Sequence, residues 1–301
     1  DFVFYIVDDG STDGSGDIVA AMATTDQRIH LIRQDNRGIV ASLNHMLALV
    51  DTPFVARMDA DDVALPQRFE KQLERLDAEP SLAALGTQFI EIGPDGEIID
   101  ADFRQPVGAA LIRETLTYRQ PIANPTAMFR TQALRDAGLY RQAFRDCEDY
   151  DLFLRLSEIA DIDNLADVLL HYRRSPGQMS IVNNASQTRQ AAYARLAHEE
   201  RRAGRRDPFD GLDSLPATSQ LDRMLGRSGV GATLEAEVLS EQRFAVATMS
   251  AGEFDDYCAK VASGVAVTGG GRAVLRCVAG GRIGRAMRLI GRTLVAGKTA
   301  G

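Results

Sequence analysis

The sequence predicts an α/β fold in which a mostly parallel sheet is flanked by helices and followed by a helical C-terminal extension. Apolar runs of strand length alternate with helical patterns between residues 2 and 173, which is typical of a parallel sheet covered on both faces. Residues 2–7 are uninterruptedly apolar, as expected for a strand buried on both faces. Acidic residues directly follow two of the apolar runs, and ligands bind at strand ends in open α/β sheets.

The elements of the N-terminal part follow from local pattern. After the strand at 2–7, the stripe of Ile18, Val19 and Met22 predicts a helix at 13–24. The elements predicted up to residue 92 are then a strand at 30–33, a helix at 38–50, a strand at 54–58, a helix at 66–79 and a strand at 82–92.

The next segment opens with a turn. Gly93-Pro94-Asp95-Gly96 combines the residues that favour a hairpin, so a short returning strand is expected after it. Gly138 predicts the end of a helix. The elements predicted here are a helix at 109–117, a loop and strand at 122–129, helices at 131–137 and 149–159, and a last strand at 168–173.

The pattern changes after residue 182. We expect a main domain at 1–182, a helical extension at 183–268 and a Gly-rich basic tail at 269–301. The tail carries arginines but no acidic residue, and its glycines weaken helix formation, which favours loose order. The alternative is an amphipathic helix that lies on an anionic membrane surface.

Composition narrows the function. The 301 residues are 45% hydrophobic and 25% charged, and the net charge of −8 argues against nucleic acid as a partner. The three cysteines are far apart, so no disulfide framework is expected and a reducing compartment fits. No apolar run approaches the roughly 20 residues of a membrane-spanning helix, and no signal peptide is visible. We therefore expect a cytoplasmic protein; contact of the tail with the inner face of the membrane stays open.

Two acidic motifs indicate the chemistry. Asp8 and Asp9, with Ser11 beyond them, follow the first strand, and Asp59 and Asp61 follow the strand at 54–58. Carboxylates are hard oxygen donors suited to Mg²⁺ or Mn²⁺ held against a diphosphate. The two clusters together predict a nucleotide-sugar site.

Four motifs in this order resemble those of family 2 glycosyltransferases. The sequence contains Val7-Asp8-Asp9-Gly10-Ser11-Thr12-Asp13, Asn36-Arg37-Gly38, Asp59-Ala60-Asp61-Asp62 and Glu148-Asp149-Tyr150-Asp151-Leu152. The resemblance covers residues 1–182 and implies that they form a catalytic domain with a fold of the GT-A type. It also implies an inverting, metal-dependent sugar transfer in which one carboxylate acts as the base.

The resemblance assigns a role to each motif. Asp149 is expected to be the catalytic base, and Asp61 with Asp59 to bind Mn²⁺ or Mg²⁺. The expected nucleotide-binding residues are Asp8, Asp9, Ser11, Asn36, Arg37 and Asp59, and those on the acceptor side are Asn124, Thr126 and Glu148. The donor is expected to be a UDP-sugar in the first place, and the acceptor a glycan, a lipid-linked sugar or a polysaccharide.

Two departures from the family pattern leave alternatives open. Relatives begin with a further strand and helix, so we expect that this chain is N-terminally truncated. The chain contains no Trp and so lacks the Gln-x-x-Arg-Trp signature of processive synthases, which predicts a non-processive hexosyltransferase. The alternatives are a nucleotidyltransferase that makes the sugar nucleotide, and an inactive fragment that still binds nucleotide.

Overall fold

The computed structural model describes residues 1–175, 184–243, 246, 249–262, 270–279 and 281–296. The chain divides into two compact units, Asp1–Arg173 and Arg174–Gly301.

Strands and helices alternate through the first unit. The strands are β1 (Phe4–Asp8), β2 (Ile29–Arg33), β3 (Phe54–Ala56), β4 (Val63–Ala64), β5 (Leu82–Ile92), β6 (Ile98–Asp100), β7 (Met128–Arg130) and β8 (Asp161–Arg173). The helices are α1 (Ser15–Ala23), α2 (Ile39–Leu49), α3 (Arg68–Ala78), α4 (Ala109–Thr115), α5 (Thr131–Asp136) and α6 (Glu148–Ile159). Short 3₁₀ turns at Asn124–Thr126 and Gln142–Phe144 precede β7 and α6.

The sheet of this unit is mixed. β1 and β2 form a parallel pair, and the larger sheet has the order β3-β7-β5-β8-β4 with β6 added to β5. In the larger sheet only β5 and β8 are parallel, and the other pairs are antiparallel. The α/β class is confirmed, but the sheet departs from the mostly parallel one expected. Apolar runs report that a strand is buried, whereas its partner and direction depend on how the chain returns.

Helix α3 fastens the sheet to the segment that follows β3. Its apolar side packs Leu76 into a cluster with Leu82, Leu85 and Met128. Gln72 is fully buried and donates from Nε2 to the carbonyls of Leu85 at 2.6 Å and of Thr126 at 2.9 Å. Its Oε1 accepts from Nε of Arg68 at 3.1 Å, and Nη2 of Arg68 donates to the carbonyl of Arg57 at 2.8 Å. A buried polar chain therefore positions the residues just after β3.

The second unit is helical where it is described. Its helices are α7 (Asn184–Arg202), α8 (Thr218–Leu225), α9 (Val230–Gln242), α10 (Ala251–Ala262), α11 (Gly270–Ala279) and α12 (Ile283–Ala296). Phe254 and Tyr257 of α10 pack with Cys277 of α11 and Leu289 of α12.

The C-terminal segment thus differs from the loosely ordered tail that its glycines favoured. Burial of the apolar side of α11 and α12 stabilises helices that local propensity alone would leave marginal. Among the described residues, no helix is both long enough and apolar enough to cross a membrane.

Candidate functional site

The turn after β1 is built around two carboxylates. Oδ1 of Asp8 accepts from the backbone N–H of Ser11 at 2.8 Å, and hydrogen bonding by Ser11 lowers the pKa of Asp8. Gly10 has φ of +86°, and a Cβ there would lie 3.0 Å from the backbone nitrogen of Asn36. The turn after β1 and the turn before α2, two predicted nucleotide motifs, are therefore in close contact.

Asp9 connects these two turns directly. Its Oδ1 accepts from the backbone N–H of Arg37 at 2.9 Å and its Oδ2 from that of Gly38 at 2.9 Å. Nε2 of Gln34 donates to Oδ1 at 2.7 Å. Burial opposes the charge of Asp9, but these hydrogen bonds outweigh it and hold its pKa below the usual value. The carboxylate organises the loop, and it leaves Asn36 and Arg37 exposed beside it.

Gln34 is a site residue that sequence reasoning missed. Besides Asp9, its Nε2 reaches Oγ of Ser42 at 2.9 Å, and its Oε1 lies 3.0 Å from Nδ1 of His45. Gln34 therefore holds the Asp9 carboxylate against α2. A single Gln one residue beyond a strand has no distinguishing pattern, so no sequence signal pointed to it.

The second acidic motif forms a compact oxygen cluster. One carboxylate oxygen each from Asp59, Asp61 and Asp62 lies within 4.8 Å of the other two. Asp59 and Asp61 were the predicted metal ligands, and the structure adds Asp62, whose signal was its place in the same acidic run.

Asp62 is the most constrained member of the cluster. It is 8% exposed, and its Oδ1 accepts from the backbone N–H of Arg173 at 2.8 Å. Its Oδ2 has no hydrogen-bond partner among the described residues. Burial, reinforced by the charges of Asp59 and Asp61, raises the pKa of Asp62 to about 7. A buried carboxylate oxygen without a partner beside two further carboxylates fits a divalent cation, which supplies the missing positive charge.

Arg57 connects the acidic cluster with the start of α6. Its Nη1 forms an ion pair with Oδ1 of Asp59, and its side chain is largely buried. Burial disfavours its charge, but the attraction of Asp59, then of Tyr140 and Asp149, outweighs burial and raises the pKa of Arg57. The predicted metal residues and the predicted base therefore lie within the field of one guanidinium.

The first turn of α6 presents two desolvated carboxyl groups. Nε2 of Gln120 donates to Oδ2 of Asp149 at 2.7 Å, and the N–H of Tyr150 donates to Oδ1 at 2.8 Å. Burial raises the pKa of Asp149 despite these hydrogen bonds and the charge of Arg57. Burial and the charge of Asp149 raise the pKa of Glu148 to about 8. Two adjacent groups with raised pKa values are suited to exchange protons near neutral pH.

The next carboxylate of α6 has a structural role. Asp151 is fully buried and accepts from Arg141 and from Nε of Arg155 at 3.0 Å. Nη2 of Arg155 also donates to the carbonyl of Leu139 at 2.7 Å. These bonds anchor the helix that carries Asp149.

The Asn124–Thr126 turn separates the predicted acceptor residues into two kinds. Thr126 is fully buried, and its hydroxyl donates to the carbonyl of Ala123 at 2.7 Å. Thr126 therefore stabilises the turn, which corrects the expectation that it faces an acceptor. Asn124 is also buried, and its Oδ1 has no hydrogen-bond partner among the described residues.

Residues 1–138 match the family model "Glycosyl transferase family 2". The first unit of the chain belongs to glycosyltransferase family 2. The family 2 resemblance of the four motifs is thereby confirmed, and the residue roles within the site stay predictions.

Curated relatives support this family assignment. The chain is 33% identical over 175 residues to the O-antigen biosynthesis glycosyltransferase WbnJ of Escherichia coli, a match over 57% of this chain and 65% of the relative. It is 32% identical over 141 residues to the amylovoran biosynthesis glycosyltransferase AmsE of Erwinia amylovora, over 46% of this chain and 52% of the relative. An uncharacterized glycosyltransferase of Haemophilus influenzae is 30% identical over 196 residues, covering 62% of this chain and 60% of the relative. The matches thus span less than two thirds of each relative.

A solved structure shows the same fold. S. aureus TarS 1–349, in complex with UDP-GlcNAc, superimposes with a TM-score of 0.55 at 16% identity, covering 99% of this chain and 83% of that chain. At this identity the likeness concerns the fold alone, and it confirms the expected GT-A type.

Proposed function

We propose that this family 2 protein is an inverting, metal-dependent glycosyltransferase that moves a sugar from a nucleotide-diphospho-sugar to a glycan, lipid-linked or polysaccharide acceptor. The observation that carries the proposal is the oxygen cluster of Asp59, Asp61 and Asp62, coupled through Arg57 to the buried carboxyl of Asp149. One end of this arrangement suits a diphosphate and its cation, and the other suits removal of a proton.

Asp59, Asp61 and Asp62 would hold the cation, with Mn²⁺ and Mg²⁺ as the candidates. Such an ion stabilises the negative charge that develops on the departing diphosphate. Asp62 fits this role because its buried Oδ2 lacks a hydrogen-bond partner among the described residues. Carboxylate oxygens alone form the cluster, which favours hard cations over the softer metals that prefer sulfur or imidazole.

The two turns joined by Asp9 would bind the nucleotide. Asp8, Ser11, Asn36 and Arg37 border this surface, and Asp9 holds the turns together. Arg37 is exposed and offers a guanidinium to a phosphate or a base edge. A UDP-sugar is the proposed donor.

Asp149 would act as the general base. A sugar hydroxyl is a weak nucleophile, so a positioned carboxylate that accepts its proton lowers the barrier. Gln120 fixes one oxygen of Asp149, and Arg57 favours the ionised form. One base and one direct displacement invert the configuration at the transferred carbon. Glu148 and Asn124 are the proposed neighbours on the acceptor side.

Relatives and composition inform the remaining choices. WbnJ and AmsE are named for O-antigen and amylovoran biosynthesis, which supports a glycan or polysaccharide acceptor here. The chain contains no Trp, which supports transfer of single hexosyl units.

The basic C-terminal helices would contact an anionic lipid surface. Residues 270–296 contain no acidic residue but six arginines: Arg272, Arg276, Arg282, Arg285, Arg288 and Arg292. Val278, Ile283 and Met287 are 52%, 66% and 65% exposed on these helices. Exposed apolar side chains interleaved with arginines complement the anionic headgroups and acyl boundary of a bilayer.

Calorimetry with UDP and GDP, in Mn²⁺ and in EDTA, tests the nucleotide and metal assignments together. We expect measurable binding of one nucleotide in Mn²⁺ and a large loss in EDTA. Asp61→Ala should reproduce the EDTA result, whereas Asp77→Ala, which changes an exposed aspartate on α3, should not. Equal affinity in Mn²⁺ and EDTA would contradict the metal assignment.

A further inference from the structure

Arg173 lies where the last strand of the first unit meets the acidic cluster. β8 ends at Arg173 and pairs antiparallel with β4, with His171 opposite Val63. This pairing brings the end of β8 alongside Asp61 and Asp62. The backbone N–H of Arg173 donates to Oδ1 of Asp62 at 2.8 Å.

The guanidinium of Arg173 bridges two loops through backbone carbonyls. Its Nε donates to the carbonyl of Asp61 at 2.8 Å. Its Nη1 donates to the carbonyls of Gly93 at 2.9 Å and Pro94 at 2.7 Å, in the turn between β5 and β6. That turn is itself closed, because the N–H of Gly93 donates to the carbonyl of Glu97 at 2.8 Å. The side chain therefore ties the acidic loop to a hydrogen-bonded hairpin.

The bond to the Asp61 carbonyl affects two carboxylates at once. The peptide plane between Asp61 and Asp62 includes that carbonyl, so its orientation determines how both side chains leave the backbone. Asp61 is exposed, and side-chain packing does not hold it as burial holds Asp62. A planar guanidinium with several fixed donors restrains such a loop better than a flexible ammonium.

We propose that Arg173 is a positioning residue for the cation: it presets the Asp61–Asp62 backbone so that the carboxylates converge, without contacting the ion itself. The inference rests on the proposed metal site. Residues that orient metal ligands from behind contribute substantially to affinity, since a disordered ligand loses entropy on binding.

Titration of the full-length chain with Mn²⁺ alone, followed by the EPR signal of free Mn²⁺, tests this role. Arg173→Met keeps the apolar stem and the backbone N–H bond to Asp62 but removes the bridge. We expect its Mn²⁺ affinity to fall by about 10–100-fold, the usual effect of losing a residue that orients ligands. Arg173→Lys, which keeps the charge and part of the donor capacity, should lose less.

Arg104→Met is the matched control. Nη1 of Arg104 also donates to two carbonyls, those of Ala101 and Phe103 at 2.7 Å each, but it lies outside the acidic cluster. Its Mn²⁺ affinity should equal that of the wild type. Melting curves accompany each titration, and if Arg173→Met does not fold, the Lys variant decides. Wild-type affinity in the folded Arg173 variant overturns the positioning role. Failure of the wild-type protein to bind Mn²⁺ instead overturns the metal site on which the role rests.

Discussion

The carboxyl of Asp149 is held in an environment that opposes its charge. Burial raises its pKa, and the hydrogen bonds from Gln120 and Tyr150 and the charge of Arg57 offset burial only in part. A base with a raised pKa takes up a proton more readily than an exposed aspartate does, which suits proton removal near neutral pH. The same environment makes the ionised group a burden on the fold, so function and stability respond oppositely to its removal.

Asp149→Asn should abolish turnover while Mn²⁺-dependent nucleotide binding persists. The amide keeps the shape but cannot accept the proton, so we expect a loss of at least about a hundredfold. Release of nucleoside diphosphate from a panel of UDP- and GDP-sugars with a suitable acceptor measures turnover, and calorimetry measures binding. Retention of more than about a tenth of the activity would place the base elsewhere.

Stability of the same variant provides its control for folding. Because the pKa of Asp149 in the folded state lies above its ordinary value of 3.8, the stability associated with the neutral carboxyl is present below pH 3.8 and is lost as pH rises through the folded-state pKa. The amide does not titrate. Melting temperatures of Asp149→Asn should therefore exceed those of the wild type at neutral pH, and the difference should shrink in acid.

At the scale of elements, α3 shows how a helix positions a site that it does not enter. Its buried Gln72 connects the carbonyls of Leu85 and Thr126 with Arg68, which in turn donates to the carbonyl of Arg57. β3 is only three residues long, so its own ladder restrains the following loop weakly. The polar chain through α3 supplies the restraint, and it also explains the burial of Thr126.

Gln72→Leu should destabilise the first unit. The substitution keeps the volume but leaves two buried carbonyls and Nε of Arg68 without this partner, and each such loss costs about 1–3 kcal/mol. Urea unfolding measures the change in the free energy of unfolding. Gln67→Leu, the same substitution at an exposed position just before α3, should have little effect. Equal effects of the two changes would show that the buried chain is not a stabilising feature.

At the scale of the whole molecule, charge is unevenly distributed. The chain has a net charge of −8, yet residues 270–296 contain arginines and no acidic residue. Part of this positive charge is neutralised within the second unit, since Nη2 of Arg288 pairs with Asp255 at 2.7 Å. Arg276 and Arg282 are exposed near the exposed apolar side chains of α11 and α12. The basic segment can therefore attract an anionic surface that the rest of the chain repels.

The protein should sediment with vesicles that contain phosphatidylserine, and not with vesicles of phosphatidylcholine alone. Binding should weaken as salt rises, because roughly 1 kcal/mol per basic residue near the surface is screened. The double change Ile283→Ser and Met287→Ser should reduce it further. The pair Ile98→Ser and Ile99→Ser, at exposed positions of β6, is the matched control and should not. Equal binding to both vesicle types would exclude this lipid contact.

Much of the fold followed from the sequence alone, because local patterns encode it. The strand at 82–92 has the predicted bounds, and the Gly93–Gly96 turn forms the predicted hairpin. Asp59 and Asp61 lie together because they belong to one short loop, so their proximity needed no knowledge of packing. The motif order was likewise sufficient to identify the family.

Only the tertiary structure decided which distant residues complete the site. Gln34 reaches Asp9, Arg57 lies between the acidic cluster and Asp149, and Arg173 reaches Asp61 from the far end of the unit. The direction of strand pairing, the burial of Thr126 and the helices of the basic tail belong to the same class. Each depends on contacts between residues far apart in the chain. Such contacts leave no local periodicity, since a side chain's partner is determined by packing and not by its neighbours in sequence.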